Sequence, residues 1–189
     1  MRFAGQETRF IGAWNWLFLG LSYGCVALFL FWEPRSAAQS HISVGVGILL
    51  WLLPVSRCGE IFTAFLEDAL DQLSGDRPRT TFTPPQRLGL ALRSYLEVIA
   101  NFAIIFFLLP ASWFVRTGSS GLRPFRTAID ALYFSGTTIT TLGYGDITPV
   151  HPVAQLLTLY EVLGGIALAV LTIGTYIGQV GRSSQPSPK

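Results

Sequence analysis

The chain has 189 residues, of which half are hydrophobic and only 13% charged, with a formal net charge of +2. Apolar runs this long exceed what a soluble core needs, so the chain reads as an integral membrane protein. So small a charge, with no basic patch interleaved with aromatics, argues against nucleic acid as a partner. Cys25 and Cys58 lack metal-ligand spacing and read as free, buried or interfacial thiols.

The first apolar segment, residues 10–32, has the length of a bilayer crossing and exceeds the core of a cleaved leader, so it is expected to stay as a first span. Trp14, Trp16 and Trp32 sit near its ends, as interfacial aromatics do, and Asn15 reads as an interfacial or helix-packing residue. A polar turn over 33–40 leads to a shorter second span over 42–56. With no arginine or lysine before Arg57, that span is not an arginine-rich voltage sensor.

Residues 58–87 are expected to form a cytoplasmic amphipathic helix and a linker. Apolar residues at 61, 62, 65, 66, 69, 70 and 73 follow a helical period, with Glu60, Glu67, Asp68 and Asp71 elsewhere around the wheel. The polar face is acidic, which favours packing on the protein over lying on a membrane surface. Prolines and threonines over 76–85 mark the linker. The third span covers 88–114 and puts Arg93, Glu97 and Asn101 four residues apart on one face. Either these groups are functional, as intramembrane ionisable residues default to being, or Arg93 snorkels and pairs with Glu97 while Asn101 bonds a neighbouring helix.

A glycine- and serine-rich loop over 116–126 precedes Thr127-Ala128-Ile129-Asp130, a capping-box pattern. The helix it starts, 128 to about 136, is too short to span. Then come Thr137-Thr138-Ile139-Thr140-Thr141-Leu142-Gly143-Tyr144-Gly145-Asp146. Glycines around a tyrosine, crowded by threonines, suit extended backbone, which at membrane depth must be buried or line a water-filled path. Pro149 and Pro152 mark the next turn, and 153–177 form the fourth span, with Glu161 and Gly164-Gly165 inside it. For Glu161 a hydrogen bond to the back of the short helix competes with a place on an ion pathway, and for the glycine pair close packing competes with hinging. The expected organisation is two spans over 1–57, helix and linker over 58–87, a pore-like unit over 88–181 and a polar tail over 182–189.

Four spans put both termini on one side. That side carries Arg2, Arg9, Arg57, Arg77, Arg79, Arg87, Arg182 and Lys189, and the other Arg35, Arg116, Arg123 and Arg126. The positive-inside rule then places both termini in the cytoplasm, and the short helix enters from outside. Its C-terminus brings about half a negative charge to mid-depth, which favours a cation there. One copy of the stretch cannot surround an ion, so a closed ring of copies is required.

The ten residues T-T-I-T-T-L-G-Y-G-D resemble the selectivity filter of potassium channels, and the order outer helix, short helix, filter, inner helix over about half the chain resembles that family's pore module. The resemblance implies an all-α homotetrameric channel passing K+ through backbone carbonyls of Thr141, Leu142, Gly143 and Tyr144, with the Thr141 hydroxyl completing the innermost site. It implies glycine-only conformations at Gly143 and Gly145, a Tyr144 ring packed on Tyr133 and Phe134, and filter support from Thr140, Thr137 and Asp146. Gly165 falls where the family often has an inner-helix gating glycine, and Gly164 competes for that role. Ile166, Ala169 and Ile173 are pore-facing candidates. Leu142 stands where Val is usual, and Thr137 where some members have an acid that partners the aspartate after the filter. Beyond potassium in the filter no organic cofactor is expected, and the partners are other copies and membrane lipids, with no soluble partner. The expected location is the plasma or inner membrane. His41 and His151 offer no catalytic constellation, so an enzyme is not expected. A non-conducting subunit assembling with other channel chains is the alternative. The acidic 58–75 segment is the candidate modulator of gating.

Overall fold

The computed structural model describes residues 2–31, 44–74, 83–118 and 123–183. The expected turn at 33–40, most of the linker at 76–85, His41, and nearly all of the tail lie outside the described residues. Among the described residues the elements are α1 (Arg2–Phe31), α2 (Val44–Ser74), α3 (Pro84–Leu108), β1 (Phe114–Arg116), α4 (Ala128–Ile139), β2 (Ile147–Pro149) and α5 (Pro152–Ser183), with a 3-10 turn at Ala111–Trp113.

Three helices among the described residues are long and apolar enough to cross a membrane, at Phe10–Leu30, Pro85–Leu108 and Pro152–Gly174. The central one is α3: 61% of its apolar window is buried inside the protein, against 22% for each of the others. One cluster of buried side chains joins Cys58 and Ile61 of α2, Val98, Phe102, Ile105 and Phe106 of α3, Phe134 and Ile139 of α4, and Ala154 and Leu168 of α5. A second packs Val26 of α1 against Ala100 and Ile104 of α3 and Ala128 of α4.

Two expected boundaries move. Helix α2 runs without a break through residues 57 and 58, so the acidic segment continues the helix begun at Val44 and is not a separate amphipathic element. Glu60 and Glu67 are exposed, off the face that buries Cys58 and Ile61, and the helical backbone continues through them. Helix α3 begins at Pro84, inside the expected linker, with two prolines in its first turn and the Thr83 N–H donating to Gln86 Oε1 at 2.9 Å. It ends at Leu108, before Pro110, whose ring disfavours helical backbone at the residue ahead of it.

The chain beyond α3 makes a ribbon that the sequence reading did not anticipate. β1 pairs antiparallel with β2 in the register Phe114↔Pro149, Val115↔Thr148 and Arg116↔Ile147. The Trp113 carbonyl accepts from the Val150 N–H at 2.8 Å, and the Trp113 ring stacks on His151 with centroids 3.9 Å apart. The end of α3 is thereby tied to the segment that follows the glycine-rich stretch.

Candidate functional site

Helix α4 starts where the capping pattern places it. The Thr127 N–H donates to Asp130 Oδ2 at 3.1 Å, the Arg126 N–H donates to the same oxygen at 2.8 Å, and the Asp130 N–H donates back to Thr127 Oγ1 at 3.4 Å. Arg116 of β1 reaches Asp130 Oδ1 at 3.0 Å and the Pro124 carbonyl at 3.2 Å. Burial alone would raise the Asp130 carboxyl, but the Arg116 side chain, the two backbone N–H groups and the Arg116 charge together hold it below the ordinary carboxylate range.

The helix continues one turn past Gly136, through Ile139. Thr137 and Thr138 are thus helical, and the irregular part of the stretch begins at Thr140. Its backbone folds back onto the helix end: the Thr137 carbonyl accepts from the N–H groups of Leu142 (2.9 Å) and Gly143 (3.1 Å), and the Thr138 carbonyl from Thr141 (2.9 Å). Thr140 Oγ1 donates to the Gly136 carbonyl at 2.6 Å and Thr137 Oγ1 to the Phe134 carbonyl at 3.0 Å. The Thr137 and Thr138 carbonyls are among the helix-end groups that would otherwise lack donors.

Beyond the turn, φ is positive at Thr141 (59°), Gly143 (50°) and Gly145 (74°), at every second residue. Gly143 and Gly145 take conformations that glycine adopts readily. Thr141 is the surprise, because a β-branched residue with positive φ is a genuine outlier and such strain gathers at functional sites. No sequence signal marks it. Thr141 to Gly145 are all exposed on this chain, including Leu142 and Tyr144. Asp146 closes the stretch, its carbonyl accepting from the Thr117 N–H at 2.9 Å, while the Gly145 carbonyl accepts from Thr117 Oγ1 at 3.1 Å.

The aromatic support divides. The Tyr144 ring lies parallel to Tyr133, 3° between planes and 6.2 Å between centroids. Phe134 does not join them. It faces the core, where its ring meets Phe106, Phe114 and Phe125. One position along a helix turns a side chain by about a quarter turn or more, so adjacent residues cannot both face Tyr144.

Behind the stretch, α4 is gripped from two sides. From α3, Tyr95 Oη donates to the Ile139 carbonyl at 3.3 Å, and Ser135 Oγ donates to the Ile99 carbonyl at 2.9 Å. From α5, the fully buried Glu161 hydrogen-bonds Ser135, and Gly165 packs on Ile139. Gly164 faces the other way, onto the Phe62 ring of α2. Ile166, Ala169 and Ile173 are exposed on α5.

The polar face of α3 is paired differently from the sequence expectation. Glu97 takes Arg57 of α2 as its partner, Nε to Oε1 at 2.7 Å, together with Asn15 of α1 at 3.3 Å. Arg93 lies over the Trp16 ring at 4.8 Å. Asn101 does bond a neighbouring helix, accepting from Ser22 of α1 at 2.8 Å. Cys25 and Cys58 are free thiols.

Residues 95–181, from α3 to the end of α5, match the family model described as ion channel. The chain is 38% identical over 107 residues to two pore potassium channel b of Oryza sativa subsp. japonica, covering 54% of this chain and 27% of that protein. It is 34% identical over 97 residues to two pore potassium channel c of the same plant, covering 50% and 20%. A voltage-gated potassium channel of Aeropyrum pernix is 38% identical over 50 residues, covering 26% and 17%. The chain therefore spans about a quarter of the length of the first of these relatives and less of the others. No solved structure matches. The similarities support a potassium channel family, and a channel in place of an enzyme.

Proposed function

We propose that this chain is one subunit of a homotetrameric, potassium-selective channel, with residues 141–145 forming a quarter of its filter. The observation that carries the reading is the alternation of φ. Positive values at Thr141, Gly143 and Gly145, separated by ordinary ones, are the backbone pattern that lets successive carbonyls face one side. Four such strands around an axis would replace the hydration shell of a dehydrated potassium ion. The Thr141 hydroxyl would complete the innermost site.

Copies of the chain are the natural cover for the surface that is left. Leu156, Leu159, Leu163, Ile166, Val170 and Ile173 are all exposed on α5 and follow alternating three- and four-residue steps, the spacing of a helix–helix seam. In the tetramer Leu156, Leu159, Leu163 and Val170 would meet neighbouring subunits, with Ile166, Ala169 and Ile173 turning toward the pore. The remaining proposals follow the sequence: four spans with α2 as the second, α4 re-entrant from outside, both termini cytoplasmic, and a location in the plasma or inner membrane. Gating would fall to α5 and the filter, since α2 has no arginine series.

The test is flux. Purified protein reconstituted into liposomes is expected to pass potassium and exclude sodium, and to run as a tetramer. An intact tetramer with no potassium flux in any condition would replace this reading with that of a non-conducting subunit.

A further inference from the structure

Ser135 of α4 has one hydroxyl hydrogen and two oxygen neighbours. The Ile99 carbonyl, 2.9 Å away, and an ionised carboxylate can both only accept, so one hydrogen cannot serve both contacts, and given to Ile99 it is withheld from Glu161. The contact between Ser135 Oγ and Glu161 Oε1 then holds a hydrogen only if the carboxyl supplies it. The surroundings agree. Glu161 is fully buried, its Oε2 has no hydrogen-bond partner, and no cation forms an ion pair with it among the described residues. A buried carboxylate with one donor would lose far more hydration than it regains, whereas a neutral acid leaves only one weak acceptor unpaired.

The groups around it do not offer a compensating charge. From α2 comes the Cys58 thiol, and the neighbouring Arg57 is held by Glu97 and Glu60. From α3 come the Tyr95 hydroxyl and, further off, Glu97, itself paired to Arg57. On α5 itself the neighbour is Tyr160, and α4 contributes only Ser135.

We infer that Glu161 holds a proton and donates it to Ser135 Oγ, making a proton-binding clasp between α5 and the back of α4. Gly165 meets Ile139 one turn further along both helices, so the clasp fixes the register of α5 on the helix that ends in the 140–145 turn. Loss of the proton breaks the donor side of the clasp and leaves a buried charge facing a hydroxyl with no hydrogen to spare. Alkaline conditions therefore loosen α5 from α4. Any effect on conduction rests on the channel reading above, but the clasp itself does not.

Infrared difference spectroscopy of the full chain in lipid bilayers tests it. A protonated-carboxyl C=O band, sensitive to deuterium exchange, is expected at neutral pH and is expected to vanish in Glu161→Gln, which keeps a donor in place. Ser135→Ala should shift that band toward the frequency of an unbonded acid. On alkalinisation the band should disappear while the thermal midpoint of the wild type falls relative to Glu161→Gln. Absence of a Glu161-dependent band at neutral pH overturns the proton site. A band that titrates with no change in that midpoint difference overturns the clasp. Neither readout needs current, so an inactive protein in the flux assay would count against the channel alone.

Discussion

Gly165 lies so close to Ile139 that a Cβ added to it would sit 2.3 Å from Ile139 Cγ1 and 3.2 Å from the Ile139 carbonyl oxygen. No real Cβ makes the first contact, and the second is with backbone that cannot swing away. The glycine is therefore a packing requirement between α4 and α5, whatever bending it also permits. Gly165→Ala is expected to destabilise the protein by about 1–3 kcal/mol through overpacking, more than the helix propensity that alanine adds. Gly174→Ala, with nothing within 4 Å of its Cβ, should be neutral or stabilising by up to about 1 kcal/mol. Thermal unfolding in detergent compares the two, and equal midpoints would leave Gly165 as a hinge alone.

The pairing of Glu97 with Arg57 predicts a second asymmetry. Glu97 is fully buried and Arg57 largely so. Removing one partner of a buried pair strands the other's charge, at a cost of about 3–5 kcal/mol. Arg57→Met should therefore lower the unfolding midpoint steeply. Arg93→Met removes a cation over Trp16 and should cost about 1 kcal/mol or less. The reverse order would restore the Arg93–Glu97 pair that helical spacing alone suggests.

That comparison shows where the sequence was legible. Hydropathy marked the long helices, because a membrane crossing is a local, averaged property. The Thr127–Asp130 box marked the start of α4, because a cap is made within four residues. Helix α2 outran its expected end at residue 56 because the change from apolar to charged residues ends a hydrophobic run without ending helical backbone. The partner of Glu97 was not legible, since Arg57 and Glu97 lie 40 residues apart and meet only once α2 packs on α3. The β1–β2 ribbon was hidden for the same reason: three-residue strands are defined by each other. Gly164-Gly165 stood out as a pair, but only the packed structure shows that one faces Phe62 and the other Ile139. The positive φ of Thr141 runs against the preference of its own side chain, so no local reading finds it.

Acid should weaken the N-terminal end of α4. Asp130 ionises more readily in the folded protein than in the unfolded chain, because the pull of Arg116 and two backbone N–H groups exceeds the effect of burial. A carboxyl with a depressed folded value adds stability that is complete above its unfolded value and is lost as pH falls through the folded one. The unfolding midpoint should therefore drop on acidification below the ordinary aspartate range. Asp130→Asn should start lower and flatten that drop. An unchanged acid slope in the variant would assign the loss to other carboxyls.

The filter proposal makes its sharpest demand at Gly143. At a φ of +50° an alanine costs about 1–2 kcal/mol in each subunit, and in a fourfold ring the cost recurs at every copy. The cheaper outcome is for the backbone to leave the left-handed region, which would turn its peptide and break the row of carbonyls. Gly143→Ala is therefore expected to abolish potassium selectivity in liposome flux while the protein still assembles. Gly118 supplies the control. It has a φ of +78° in the turn after β1, next to Thr117 but outside the 141–145 row of carbonyls, with nothing within 4 Å of its Cβ. Gly118→Ala carries a similar backbone cost and should leave selectivity intact. Full selectivity in an assembled Gly143→Ala protein would remove the carbonyl ring from this account, and equal loss in both variants would trace the effect to folding.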